Sequence, residues 1–186
     1  MRIVAGRFRG ATINAPKGTL TRPTSDRVRQ ALFNVLEHGD PAMTFEGARV
    51  LDLFAGSGAL GLEALSRGAR YAVFIEESTE ARGAIRRNVE TLGLTGVTKI
   101  WRRDATRLGG VSTMAPFDLV FCDPPYGQEL GERALASAVE GGWLAADAVA
   151  VIEERASANV AWPAPLTEIG ARRYGDTQIA IARMGG

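Results

Sequence analysis

Residues 49–61 read RVLDLFAGSGALG, and this stretch decides the fold. Its first half is a continuous apolar run ending in glycines, which is typical of a buried strand in a parallel sheet. Apolar residues with helical spacing follow at once, so the pattern predicts a strand, a tight turn and a helix, the opening unit of a nucleotide-binding α/β fold. Gly56 and Gly58 lack a Cβ, which lets the backbone turn sharply and approach a ligand closely.

The glycine turn by itself is compatible with two classes of ligand. Residues 56–61 match the dinucleotide fingerprint G-x-G-x-x-G, which favours an NAD-type enzyme. Asp52, four residues before the first glycine, favours a different ligand. The pattern Asp-x-Phe-x-Gly-x-Gly resembles the first motif of S-adenosylmethionine (SAM) methyltransferases, whose ligand carries an ammonium and a sulfonium. A carboxylate at the end of the first strand suits such a cation better than it suits a pyrophosphate.

The length and composition of the chain are typical of a single folded domain. The chain has 186 residues, 46% of them hydrophobic and 23% charged, which is enough to bury one good core. One cysteine excludes an internal disulfide, and with a single histidine it leaves little for a zinc site, so we expect no metal. No apolar stretch reaches membrane-spanning length and the N-terminus has no signal-peptide core, so we expect a cytoplasmic protein without membrane contact.

The net charge of +1 hides an asymmetry along the chain. Residues 1–30 carry seven basic side chains against one acid, a charge of +6, whereas the remaining residues carry 15 basic and 20 acidic groups, a charge of −5. Residues 1–15 predict a short hairpin, and Thr24 or Ser25 caps a predicted helix that runs to about His38. A basic segment on an acidic body predicts a polyanionic partner, with a solvated charged end as the alternative.

The rest of the chain alternates between strand and helix patterns. Three predicted strands have an acid at their carboxyl end: Glu76, Asp104 and Asp123. Because ligands bind at the carboxyl ends of parallel strands, these acids and Asp52 should converge on one crevice. The chain ends in two extended runs joined at Gly175-Asp176, a hairpin signal. The further strands are predicted at residues 71–76, 99–105, 117–123, 148–153, 166–174 and 177–183, which makes a mostly parallel seven-stranded sheet with a C-terminal antiparallel hairpin.

Residues 123–126 read DPPY and carry the most specific chemistry in the chain. The two prolines fix the backbone and have no N–H, so the Asp123 carboxylate and the Pro124 carbonyl offer two acceptors in a rigid frame. That frame matches the two hydrogens of an exocyclic –NH₂ group. Tyr126 adds a flat face on which a base can stack, worth about 1–3 kcal/mol in single-stranded nucleic-acid complexes. The motif looks like that of amino-directed N-methyltransferases.

Nearly the whole chain resembles the bacterial 16S rRNA guanine-N2 methyltransferases that modify guanine 966. The resemblance rests on the segment 22–34 with residues 3–6 and 9–10, on residues 52–68 and on the DPPY motif. The chain departs from the family pattern at Gln30, where a glutamate is expected, and at 76–78, where the acid cluster often includes an aspartate. It implies a Rossmann-like SAM methyltransferase domain at 41–186, preceded at 1–40 by a basic rRNA-binding hairpin and helix. It implies SAM as cofactor and 16S rRNA, within the small subunit or an assembly intermediate, as partner of a monomer. The implied catalytic residues are Asp123, Pro124 and Tyr126; the cofactor residues are Asp52, Phe54, Gly56, Gly58, Glu76, Asp104 and Ala105; the RNA-binding residues are Arg2, Arg7, Arg9, Arg22 and Arg27.

Three other functions stay open on the sequence. An adenine-N6 nucleic-acid methyltransferase would use the same DPPY chemistry, although such enzymes usually need a separate recognition domain for which this chain has no room. A NAD-dependent oxidoreductase would explain the glycine fingerprint and leave the proline motif unexplained. A non-catalytic RNA-binding module would leave both motifs without a role.

Overall fold

The computed structural model describes residues 1–17, 25–39 and 42–185. Within these ranges no helix is long and apolar enough to cross a membrane. Short 3₁₀ turns at Thr95–Val97 and Ala105–Arg107 flank the third strand. The helices are α1 (Asp26–His38), α2 (Ala59–Ser66), α3 (Thr79–Thr91) and α4 (Leu130–Glu140). The strands are β1 (Arg49–Leu53), β2 (Tyr71–Ile75), β3 (Thr98–Trp101), β4 (Phe117–Cys122), β5 (Leu144–Arg155), β6 (Leu166–Tyr174) and β7 (Thr177–Met184).

The seven strands form one sheet in the order β3-β2-β1-β4-β5-β7-β6. Strands β1 to β5 pair in parallel, whereas β7 runs antiparallel to both β5 and β6. The predicted mostly parallel sheet with a C-terminal antiparallel hairpin is confirmed. The strand order reverses between β1 and β4, where Leu53 pairs with Cys122. This reversal opens a crevice outside the carboxyl ends of β1 and β4, the usual ligand position in open α/β sheets.

The third and fifth strands differ in length from the sequence expectation. β3 ends at Trp101 instead of continuing to Ala105, because Asp104 caps a 3₁₀ turn through its own side chain. A short acidic side chain that bonds the backbone two residues onward favours a turn over a sheet ladder. β5 begins at Leu144, four residues before the predicted start, and its register with β4 shifts between Phe117 and Leu119.

The N-terminal segment packs into the same core as the sheet. Ile3 and Ile13 are buried beside Leu32 and Phe33 of α1, and this cluster continues to Val50 of β1. The expected hairpin is present as a single antiparallel bridge between residues 2 and 12. The division into an rRNA-binding segment at 1–40 and a methyltransferase domain at 41–186 stays a prediction. One hydrophobic cluster contains residues from both parts.

Glu63 of α2 joins the N-terminal segment to the sheet. Its side chain is fully buried and accepts hydrogen bonds from the backbone N–H groups of Val4 at 2.8 Å and Ala5 at 3.1 Å. It also forms ion pairs with the buried Arg29 of α1, at 3.3 Å, and with Arg67, at 3.0 Å. A buried carboxylate costs little when each of its oxygens has partners, and here four donors meet on one side chain.

Replacing Glu63→Gln should lower the free energy of unfolding by about 3–5 kcal/mol, because Arg29 loses its buried counter-charge. Urea unfolding followed by circular dichroism measures this loss. Glu90→Gln, on the exposed side of α3, is the matched control and should change stability by less than about 0.5 kcal/mol. Equal stabilities of the two variants would show that Glu63 does not hold the N-terminal segment in place.

Candidate functional site

The turn after β1 has the backbone conformation that its glycines allow. Gly56 has φ +58° and Gly58 has φ +80°, both in the left-handed region that favours glycine. A Cβ on Gly56 would meet open space, whereas one on Gly58 would press within 3.2 Å of the Phe74 ring. Phe54, at φ +56°, also holds a left-handed backbone at the end of β1. Strained backbone of this kind is concentrated at binding sites, because surrounding structure must hold it.

Asp52 supports this turn from inside the protein. Its carboxylate is 1% exposed and its Oδ2 accepts a hydrogen bond from the Gly61 N–H at 3.0 Å. Gly61 permits this approach, since a Cβ there would lie 2.5 Å from the Phe74 ring. Burial raises the pKa of Asp52 to about 8; the Gly61 hydrogen bond opposes the shift, and the negative charge of Glu76 adds to it. Asp52 therefore positions the first turn of α2 directly under the glycine turn.

Glu76 follows β2 and faces the same turn. Its Oε1 accepts from the Gly56 N–H at 2.9 Å, and its Oε2 accepts from the Ser78 N–H at 2.9 Å. The side chain is half-buried, and each carboxylate oxygen keeps a lone pair for a further donor. The carboxylate is thus fixed in direction at the carboxyl end of β2, beside the glycine turn, as the sequence predicted.

Asp104 and Ala105 lie in the turn that follows β3. Asp104 Oδ1 accepts from both the N–H and the hydroxyl of Thr106, at 2.9 and 2.7 Å. These hydrogen bonds from Thr106 hold the pKa of Asp104 below its ordinary value. Ala105 is buried in the core that α4 covers. The two residues stand at the expected sheet edge, and their role toward a cofactor stays a prediction.

The DPPY motif stands directly across the crevice from the glycine turn. The Asp123 N–H points to the Leu53 carbonyl at 3.5 Å, so the ends of β4 and β1 are adjacent. The Asp123 side chain is half-buried, Pro124 is buried and Pro125 is exposed. The structure therefore brings together the two motifs that lie about 65 residues apart in the sequence, one on each side of the strand-order reversal.

Tyr126 has two partners that the sequence did not reveal. Its hydroxyl donates to Glu153 Oε1 at 3.0 Å and shares a hydrogen bond with the Thr177 hydroxyl at 3.0 Å. Burial raises the pKa of Tyr126 to about 12, and the nearby Glu153 charge adds to the shift. Glu153 was a strand-end acid like Glu76 and could have been found by that signal. Thr177 carries no such signal, because only strand pairing brings it here.

The predicted RNA-binding arginines divide into two groups. Arg2, Arg9 and Arg27 line one open cleft of about 350 Å³ together with Gln30. Arg7 lies apart: its guanidinium covers the Phe8 ring at 4.5 Å, and its backbone bonds the carboxyl end of α2. The glycine turn is at the other end of that eight-residue helix, which spans about 12 Å. Arg22 lies outside the described residues.

The chain is similar to known proteins over nearly its whole length. A family model described as conserved hypothetical protein 95 matches residues 1–183. The chain belongs to this family. Escherichia coli ribosomal RNA small subunit methyltransferase D is 38% identical over 153 residues, covering 82% of this chain and 74% of that protein. YlbH of Bacillus subtilis is 35% identical over the whole of both chains. The solved structure of E. coli yhhF is 33% identical, with TM-score 0.84 over 100% of this chain and 98% of that one.

These similarities confirm the resemblance to the bacterial rRNA methyltransferases. The family match spans both the N-terminal segment and the sheet, so it covers the glycine turn, the DPPY motif and the arginine cleft alike. Membership in a methyltransferase family implies SAM as the cofactor.

The raised pKa of Asp52 predicts a pH-dependent stability. Between about pH 4 and pH 8 the folded protein keeps a proton that the unfolded chain releases, so stability should fall as pH rises, by at most about 1.4 kcal/mol per pH unit. Asp52→Asn keeps an acceptor for Gly61 and cannot ionise. We expect its advantage over the wild type, measured by urea unfolding, to grow from pH 5 to pH 8 and level off above.

The control for this series is Asp176→Asn, at the exposed hairpin turn. Its stability difference from the wild type should stay flat over the same pH range. A flat difference for Asp52→Asn as well would mean that Asp52 ionises normally in the folded protein.

Proposed function

We propose that this protein transfers a methyl group from SAM to the exocyclic N2 amine of a guanine in 16S rRNA of the small ribosomal subunit. The observation that carries the proposal is the DPPY motif facing the glycine turn across the strand-order reversal, in a chain related to ribosomal RNA small subunit methyltransferase D. We propose that the enzyme acts as a monomer on the rRNA of the small subunit or of an assembling particle.

The residues around the glycine turn fit SAM. Glu76 is held by the Gly56 and Ser78 N–H groups, so its remaining lone pairs suit donors such as ribose hydroxyls. The open space at Gly56 leaves room for a ligand against the backbone. SAM, when bound, supplies an electrophilic methyl group on a sulfonium. Asp52 contributes by fixing the turn through its hydrogen bond with the Gly61 N–H. Phe54, Gly58, Asp104 and Ala105 complete the proposed cofactor wall.

Asp123 and Pro124 supply the chemistry on the target side. The lone pair of an exocyclic guanine amine is delocalised into the ring, which makes the amine a poor nucleophile. The Asp123 carboxylate and the Pro124 carbonyl can accept both N–H bonds, tilt the nitrogen toward tetrahedral geometry and direct its lone pair at the methyl group. Most of the rate enhancement then comes from positioning and electrostatics. Asp123 is also placed to accept the proton released from the amine.

The target base must leave its helix to reach this site, so the rest of the RNA needs a separate binding surface. Arg2, Arg9 and Arg27 provide a basic cleft for it. The acid that shares the cleft, Asp26, is already paired with the buried Arg29 at 2.9 Å, so the arginines there keep a surplus of positive charge. Arginine suits this role because it binds phosphate with two parallel hydrogen bonds and stacks on exposed bases. Arg7 and Arg22 are proposed to extend this surface.

The decisive experiment combines turnover and cofactor binding. Purified wild-type protein should methylate small-subunit rRNA from cells that lack the gene, and nucleoside mass spectrometry should detect N2-methylguanosine. Asp123→Ala should lower turnover by at least about 10²-fold and leave SAM affinity, measured by calorimetry, nearly unchanged.

The matched control for the Asp123 variant is Asp118→Ala, on an exposed position of β4. It should keep wild-type turnover. N6-methyladenosine as the product, or tighter binding of NAD than of SAM, would overturn the assignment in favour of the corresponding alternative. Near-wild-type turnover in Asp123→Ala would remove the amine-holding role.

Removing charge from the arginine cleft should weaken RNA binding. We expect Arg9→Ala/Arg27→Ala to flatten the log–log salt dependence of rRNA affinity by about 0.7 per lost phosphate contact, roughly 1.4 in all, without changing SAM affinity. Arg70→Ala/Lys99→Ala removes the same charge from two exposed positions, one just before β2 and one on β3, and should leave the slope unchanged. Equal slopes for both double variants would identify the basic segment as a solvated end.

A further inference from the structure

The hydroxyl of Tyr126 is held at the junction of β5 and β7, outside the proposed amine-holding frame. Its two partners are 3.0 Å away, and both are largely buried: Glu153 is 9% exposed and Thr177 is 7% exposed. A phenol whose pKa is about 12 stays protonated at neutral pH, so it remains a hydrogen-bond donor to the Glu153 carboxylate. The ring is only half-buried and keeps surface toward solvent.

Strand pairing explains why these two side chains reach the same point. In the antiparallel ladder of β5 and β7, Arg155 pairs with Thr177 and Glu153 pairs with Ile179. Glu153 and Thr177 are therefore diagonal neighbours on one face of the sheet, within reach of a common partner. Glu154, which lies between, points to the opposite face and accepts a hydrogen bond from the Arg155 N–H instead.

We propose that Glu153 and Thr177 are positioning residues for the methyl transfer, which orient the Tyr126 ring as a fixed platform for the target base. This inference rests on the proposed function, and it assigns a role to the C-terminal hairpin. Pro124 and Pro125 have no N–H, so these two positions cannot tie the DPPY loop to the sheet by backbone donation. The Tyr126 hydroxyl, at the other end of the loop, makes the connection to the sheet through its hydrogen bonds with Glu153 and Thr177.

Fixing the ring matters because the amine frame precedes it in the same short loop. A base stacked on Tyr126 is held in its plane, and the plane decides whether its –NH₂ hydrogens meet Asp123 and Pro124. A misplacement of about 1 Å at a reacting group can cost about 10²-fold in rate. The hydrogen bonds of Tyr126 thus act through its ring on the geometry of the target amine, while the cofactor side of the crevice is untouched.

The test compares substitutions that remove the hydrogen bonds with ones that keep them. Glu153→Ala and Tyr126→Phe should each lower kcat on small-subunit rRNA by about 10-fold or more, with KM for SAM unchanged. Glu153→Gln retains an acceptor and should restore most of kcat, and Thr177→Ser should outperform Thr177→Val. The double variant Tyr126→Phe/Glu153→Ala should be no slower than the slower single variant, because each substitution removes the same Tyr126–Glu153 hydrogen bond.

Glu154→Ala is the matched control, since Glu154 is also buried and lies on the same strand but points to the other face. It should keep kcat within about twofold of the wild type even where it lowers thermal stability. If kcat falls in proportion to thermal stability, and does so to the same extent in the Glu153 and Glu154 variants, the positioning role is overturned. A Glu153→Gln variant as slow as Glu153→Ala would also overturn it.

A spectroscopic measurement separates this inference from the proposed reaction. The chain has three tyrosines, so labelling with 3-fluorotyrosine gives three ¹⁹F resonances, and Tyr126→Phe assigns the one of interest. Glu153→Ala should shift and broaden that resonance, whereas Glu154→Ala and Glu153→Gln should leave it close to the wild type. An unmoved resonance in Glu153→Ala would overturn the inference. Failure of the wild type to methylate rRNA would instead refute the proposed function and leave the fluorine result intact.

Discussion

The buried ion pair between Glu63 and Arg29 is the constraint on which the arrangement of the N-terminal segment depends. Glu63 lies on α2, the helix after the glycine turn, and accepts hydrogen bonds from the N-terminal segment and from α1. Arg29 in turn donates to the Arg2 carbonyl and pairs with Asp26. The ion pair between these two buried side chains fixes the basic cleft to α2, the helix that follows the glycine turn.

Hydrogen bonds from backbone N–H groups also hold two acids at the crevice. Asp52 and Glu76 are both acids at strand ends, and both accept backbone N–H groups of the glycine turn or of the helix after it. Their burial differs, so their chemistry differs: burial raises the pKa of Asp52, whereas Glu76 is only half-buried and keeps part of its side chain exposed. Asp52 supports the glycine turn from inside the protein, and Glu76 places its carboxylate beside the turn at the crevice.

The sequence was a good guide wherever the signal was local. Periodicity and glycine placement predicted the seven strands of the sheet, and the sequence predicted a cap for α1 at Thr24 or Ser25, of which Ser25 is the cap. Both signals are local, because burial and caps act over a few residues. The prediction failed where a side chain overrode the pattern: Asp104 ended β3 early by capping a turn. The carboxyl-end rule also predicted that the strand-end acids meet at one crevice, since parallel strands share that edge.

By itself the sequence determined the fold class, the two facing motifs and the surplus of positive charge in the first 30 residues, because each of these is written in local pattern or composition. Only the tertiary structure decided which partners the side chains have. Glu63 looked like an ordinary helix acid, and Thr177 like a residue after a hairpin turn. Their roles arise from contacts across 34 and 51 residues of chain, to Arg29 and Tyr126, and such distant neighbours are set by packing and strand register, which no local pattern encodes.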